Sequence, residues 1–231
     1  MTLAQFNQLA SERLKLSIRF KSHRKLCDFR PAFGDIFGIT EMDLDFWGYC
    51  DLDIILGDLR HFLTDNVLNR CDVISAASRF MAGPFSVFRN TKLVSNLYRR
   101  SKNIEQVMTE RQLLGFDELG PHLTWLPSGD FVIDRSKGFE SFTDLVLAAA
   151  QNRELRAHFG LPYYNDPDIP SLEKGTVLWI NGKLKVQSTG EELLLYHFQM
   201  GKESFSSWFL PHGDEWRSGL LIAASGFFPP F

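Results

Sequence analysis

Apolar positions recur at helical spacing at the start of the chain. Leu3, Phe6, Leu9 and Ala10 fall on one face, and Thr2 with Gln5 makes a capping-box pair. Residues 2–18 are therefore expected to form an amphipathic helix. Residues 21–40 are mixed and turn-rich. The period then shortens: "DFWGYCDLDII", with Gly48 and Gly57 about it, reads as a strand. "DLRHFLTDNVLNR" (58–70) reads as helical, with Asp58 as its N-cap. "CDVIS" and "RFMAGPFSVFR" read as short strands, and "NTKLVSNLYRR" as a helix capped by Asn90. Residues 103–114 suggest another helix. "FESFTDLVLAAAQN" carries a second capping box, Ser141 to Asp144.

Residues 161–176, "LPYYNDPDIPSLEKGT", hold three prolines and read as a long loop. "TVLWINGKLKVQ" is a hairpin pattern, because Asn181-Gly182 suits the two positive-φ positions of a type I′ turn. "ELLLYHFQ" reads as a further strand. Strands and helices alternate first, and hairpins follow. The expected class is α/β with a mixed sheet flanked by helices and a C-terminal hairpin region. The expected organisation is one domain, 1–231: an α/β part over 1–160, the loop 161–176, and a hairpin-rich part over 177–231.

Composition narrows the functional classes. The 231 residues carry a net charge of −3, which provides no basic footprint for nucleic acid. Hydrophobic residues make up 44% and include 21 Phe, enough for a large core or an apolar docking surface. Cys27, Cys50 and Cys71 are odd in number and form no CxxC pair, so three buried free thiols in a reducing compartment are expected. No apolar run approaches the ~20 residues of a membrane span. "MTLAQFNQLASERL" is too polar for a signal peptide, which points to the cytoplasm. The tail "GFFPPF" reads either as a terminal strand packed on the body or as a dock for a partner or membrane surface.

Two acids interrupt the apolar strand pattern. Asp51 and Asp53, two apart on a strand, would face the same way. Converging carboxylates repel, and one keeps its proton unless a cation sits between them. A divalent metal resolves this, since hard cations take carboxylates together with substrate phosphates. The other reading is an edge strand with two solvent-facing acids. Gly48 and Gly57 would let backbone approach a ligand. Lys25, Asp28 and Arg30 lie within six residues. They suit either sugar hydroxyls and phosphate, with Arg30 bidentate, or a loop salt bridge.

"DLDIILGDLRHFL" resembles the DxD region of GT-A fold glycosyltransferases, in which a DxD strand runs into a helix. Further pieces follow in the same order. "RFMAGPFSVFRNT" resembles the later strand whose glycine, here Gly83, lies beside the sugar. "GFDELG" resembles the acidic pair near the transferred sugar in retaining members, which implies catalytic roles for Asp117 and Glu118. "LLYHFQMGKESF" resembles the C-terminal His…Gly…Lys segment. The resemblance makes His197 the third metal ligand and Lys202 the partner of the diphosphate. "KLCDFRPAFGDIF" resembles bacterial glycosyltransferase-like proteins of surface polysaccharide assembly.

The resemblance implies a hexosyltransferase-like enzyme, similar to galactosyl- and glucosyltransferases. It would move a sugar from a nucleotide-diphosphate donor to a saccharide acceptor with Mn²⁺ rather than Mg²⁺, because an imidazole ligand favours the later ion. GT-A enzymes open with a βαβ unit that holds the nucleoside. Here residues 1–45 precede the DxD strand and open with a helix. The resemblance therefore implies an N-terminally truncated copy, or a nucleoside unit supplied by another segment or subunit. An inactive GT-A remnant serving as a scaffold is the alternative. "DLDII" also loosely resembles the nucleophile strand of haloacid-dehalogenase-type phosphatases, but the later paired-Asp strand of that family is missing from the sequence.

Overall fold

The computed structural model describes residues 1–125, 131–165, 176–198, 203, 205–223 and 225–230. The chain is mixed α/β and divides into two compact units, residues 1–50 with 70–160 and residues 51–69 with 161–231. Among the described residues no helix is long and apolar enough to cross a membrane.

The first unit is built on a four-stranded mixed sheet. Phe46–Cys50 pairs antiparallel with Phe85–Arg89, which pairs antiparallel with Val73–Ser75, which pairs parallel with Ala157–Phe159. Alternation along the first strand turns Trp47 and Tyr49 inward, where both rings meet Phe88. The N-terminal helix, Leu3–Leu14, has the expected capping box and buries Phe6, Ala10 and Leu14. Phe6 meets Phe20, Phe29 and Phe33 edge-on. The helix stops four residues short of the expected Ile18. Lys15 takes a left-handed conformation (φ 60°), and the chain then extends to bury Ile18 and Phe20.

Other boundaries move for similar reasons. The turn-rich stretch becomes a 3₁₀ segment, His23–Ala32, and a helical turn, Phe33–Ile36. Thr91, not Asn90, caps Lys92–Ser95, because the Asn90 amide side chain donates to the Met42 carbonyl. The helix expected over 103–114 is Ile104–Thr109, and residues 112–116 are gripped by the 3₁₀ segment instead. Phe142–Gln151 keeps its capping box and buries Phe142, Leu145, Val146 and Ala149. None of the three cysteines forms a disulfide. They are not buried as expected: Cys50 is exposed and the other two are half-buried.

The second unit contains two sheets. In the three-stranded one, Leu195–His197 lies between Ile54–Leu56, antiparallel, and Tyr163–Asn165, parallel. Within the stretch expected to be a loop, Tyr163–Asn165 is thus a strand, and residues 166–175 lie outside the described residues. The six-stranded sheet runs Glu192–Leu193, Lys183–Val186, Val177–Ile180, Leu220–Ala223, Gly226–Phe228, Ser207–Trp208. The expected hairpin is present, with φ 50° at Asn181 and 78° at Gly182. "ELLLYHFQ" is not one strand. It changes sheet at Leu194, whose amide donates to the Pro162 carbonyl. The C-terminal strand is paired on both sides, and Phe227 is buried in the core of this unit with Val177, Leu184, Tyr196 and Ile222.

"DFWGYCDLDII" also splits. Phe46–Cys50 ends, residues 51–53 form a bend, and Ile54–Leu56 begins in the other sheet. Pairing with His197 starts only at Ile54. The helical stretch that follows is two short helices, Leu59–Phe62 and Asp65–Arg70. Asp58 caps the first as expected, accepting from the amides of Arg60 and His61.

Gly57 ties this region down. Its amide donates to the Leu194 carbonyl at 2.8 Å, and a Cβ there would stand 2.3 Å from the Leu193 carbonyl oxygen. No flexible side chain can give way, so Gly57→Ala is expected to cost about 1–3 kcal/mol, the range for overpacking. Urea unfolding checks this: an unchanged midpoint would mean that the strand does not lie against residues 193–195.

Candidate functional site

In the second unit, Asp51, Asp53 and His197 converge. One ligand atom from each lies within 4.8 Å of the others. His197 Nε2 stands 3.7 Å from Asp51 Oδ2 and 3.4 Å from Asp53 Oδ1. Three features produce this. The strand register sets His197 opposite Ile54. The Phe198 amide then donates to the Asp53 carbonyl at 3.0 Å, which holds the bend against the strand end. Within the bend Leu52 is fully exposed, while both aspartates are largely sheltered. His197 is buried.

A six-coordinate divalent ion with ligands at about 2.1 Å places neighbouring ligand atoms about 3.0 Å apart. The two separations from His197 need to shorten by less than an ångström, a side-chain adjustment. Two oxygens and one imidazole nitrogen form a donor set that could hold a hard-to-intermediate divalent ion.

The first unit holds a separate cluster of charge. Arg30 Nη1 donates to Asp117 Oδ2 at 2.8 Å, and the Gly83 amide donates to Glu118 Oε1 at 2.8 Å. A Cβ on Gly83 would stand 2.6 Å from Arg30 Nη1 and 2.7 Å from Glu118 Oε1, so a side chain there would push these two charged ends aside. The acid loop is seated on the start of Phe142–Gln151. The Phe142 amide donates to the Phe116 carbonyl, and the amide and hydroxyl of Thr143 donate to the Glu118 carbonyl.

Asp117 is buried and Glu118 half-buried. Burial first, and the Glu118 carboxylate second, hold the Asp117 carboxyl well above the ordinary carboxylate range, with Arg30 opposing. The cluster therefore pairs a deep acid, which holds its proton to higher pH than an ordinary carboxyl, with a more accessible one.

Of the residues singled out by sequence, the structure brings Arg30, Gly83, Asp117 and Glu118 together in one cluster, and Asp51, Asp53 and His197 in another. Lys25 and Asp28 are wholly buried and paired at 2.7 Å, with their remaining bonds to the backbone of residues 112–116. Lys202 lies outside the described residues. Tyr49 was missed. Its ring lies 5.7 Å from the Arg30 guanidinium, and burial, then Asp117, pushes its phenol upward. In the sequence it is an inward position of an alternating strand, which reads as core.

The Asp117 proton has a consequence for stability. In the unfolded chain this carboxyl ionises at its ordinary value; in the folded chain it holds its proton to higher pH. The folded state therefore loses stability as pH rises from the ordinary carboxylate range through the ionisation of Asp117 in the fold. Asp117→Asn removes that loss. In thermal melts from pH 4 to 8, the variant is expected to gain on wild type as pH rises, by about 2–4 °C for each kcal/mol. Parallel profiles would show that Asp117 ionises as an ordinary carboxylate.

No curated protein and no solved structure matches this chain. One family model does, over residues 1–213, which is most of the sequence. The chain belongs to the family of unknown function DUF6625.

Proposed function

We propose that this protein is a metal-dependent glycosyltransferase of the GT-A type, which moves a sugar from a nucleotide-diphosphate donor to a saccharide acceptor in polysaccharide assembly. The observation that carries the reading is the convergence of Asp51, Asp53 and His197, residues 146 positions apart at the extremes, through one strand register. A divalent ion bound there supplies a Lewis acid for a departing diphosphate.

The roles of the chain's own residues follow from their setting. Asp51 and Asp53 offer two negative charges at a bend, partly open to solvent, where a cation can exchange its water for carboxylate oxygen. His197 lies on a strand bonded on both sides, so its backbone position does not depend on the ligand. In the other unit, Arg30 presents a planar fork, and Glu118 a carboxylate anchored by one oxygen to the Gly83 amide. Arg30 and Glu118 are suited to binding sugar hydroxyls, and such a carboxylate can stabilise positive charge at an oxocarbenium-like carbon.

The test is thermal stability with nucleotide-diphosphate sugars, with and without Mn²⁺, on wild type and Asp51→Asn/Asp53→Asn. A donor at ~100 times its Kd adds about 2.7 kcal/mol, which is roughly 5–10 °C for a chain of this size. The shift is expected to need Mn²⁺ and to vanish in the variant, with release of nucleoside diphosphate in the presence of wild type alone. Stabilisation by Mn²⁺ with no response to any nucleotide sugar would sink the transferase and leave an ion-binding protein. No response to Mn²⁺ would remove the basis of the reading.

A further inference from the structure

The Lys25–Asp28 pair never meets solvent: both side chains are 0% exposed and the charged groups are 2.7 Å apart. A buried ion pair is often no more stabilising than an apolar pair of the same volume. What the pair does here is geometric. Lys25 Nζ donates to the Gln112 carbonyl at 2.9 Å. The two Asp28 oxygens accept from the amides of Leu114, at 2.8 Å, and Phe116, at 2.7 Å. Alternate residues of one irregular segment are thus gripped at three points. Phe116 is buried, and the next two residues are Asp117 and Glu118.

The same 3₁₀ segment continues to Arg30, which pairs with Asp117. One short piece of chain therefore holds the acid loop by its backbone and meets its first carboxylate.

We propose that Lys25 and Asp28 are positioning residues for the Asp117–Glu118 pair. By gripping residues 112–116 they set how deeply Asp117 enters beside Arg30 and keep Glu118 directed at the Gly83 amide. The inference rests on the reading of that pair as the sugar-facing acids, but its decisive measurements do not depend on sugar transfer. With the clamp removed, the loop admits water, and the burial that keeps the Asp117 proton in place is lost. The charged and titratable groups facing Asp117 are Arg30, Glu118, Asp28 and Tyr49.

The test is Lys25→Met/Asp28→Leu, which removes both charges, leaves the net charge unchanged and keeps the volume. Asp28 itself pushes the Asp117 carboxyl upward, so exchange at the loop amides is the readout that separates the effect of the loop from the loss of that charge. The variant is expected to fold, by circular dichroism. Hydrogen exchange at the Leu114 and Phe116 amides should rise at least tenfold. Asp117, followed by carboxyl NMR, should ionise at lower pH than in wild type. Stabilisation by Mn²⁺ should match wild type. In a transfer assay kcat should fall about 100-fold, the cost of a misplaced reacting group, with donor KM little changed.

A folded variant with wild-type exchange at both amides and a wild-type Asp117 titration would overturn the proposal. Should the variant not fold, native-state exchange of wild type decides. Protection of both amides equal to that of the amides between strands 46–50 and 85–89 supports the clamp, and exchange at exposed-loop rates overturns it. Absence of any nucleotide-sugar response in wild type would sink the transferase reading while leaving these exchange and titration results intact.

Discussion

The antiparallel register that sets His197 opposite Ile54 governs the cluster of Asp51, Asp53 and His197. The strands involved are three residues long, too short to hold a position alone. They are secured by additions at their ends: the Phe198 amide on the Asp53 carbonyl, the Gly57 amide on the Leu194 carbonyl, and a parallel partner at Tyr163–Asn165. A slip of one residue would turn His197 to the opposite face and leave the two aspartates without it. The bare approach of Gly57 to the Leu193 carbonyl closes off that slip, because a side chain there would hold the strands apart.

Burial of charge takes two forms in this protein. At the bend, Asp51 and Asp53 keep contact with water and need no internal counter-charge to be soluble. In the first unit, charge is taken fully inside and has to be matched there, because an isolated buried ion is prohibitively costly. Lys25 and Asp28 match each other and use their remaining capacity on backbone. Asp117 is matched only in part by Arg30, so burial and Glu118 push it toward the neutral form. The first arrangement suits a site that accepts a cation from solution. The second suits a site whose geometry exists before anything binds.

Several parts of the fold were legible because short-range physics decides them. The capping boxes at Thr2–Gln5 and Ser141–Asp144, the Asp58 cap and the Asn181-Gly182 turn each involve groups within three residues of one another. The DxD pair was legible as a type, since carboxylates inside an apolar run require an explanation, whereas His197 came into view through resemblance. The acid pair and its glycine came into view through resemblance, not through any local pattern.

Other parts were decided at long range. The apolar run 46–56 looks continuous, yet its halves pair with residues 85–89 and 195–197, and the acids mark the point of division. "ELLLYHFQ" divides at Leu194 for the same reason: each half finds a different partner. Thr91 displaces Asn90 as a cap because Asn90 has a bond elsewhere. Lys25 and Asp28 read as binders of sugar or phosphate or as an exposed loop pair, but the backbone of residues 112–116, nearly ninety positions away, draws them inside. The sequence by itself determined the local devices and the residue types at the site. The tertiary structure alone decided which carboxylates gather at a histidine, which face an arginine and which are sealed in the core, because those outcomes depend on desolvation and on partners distant in the chain.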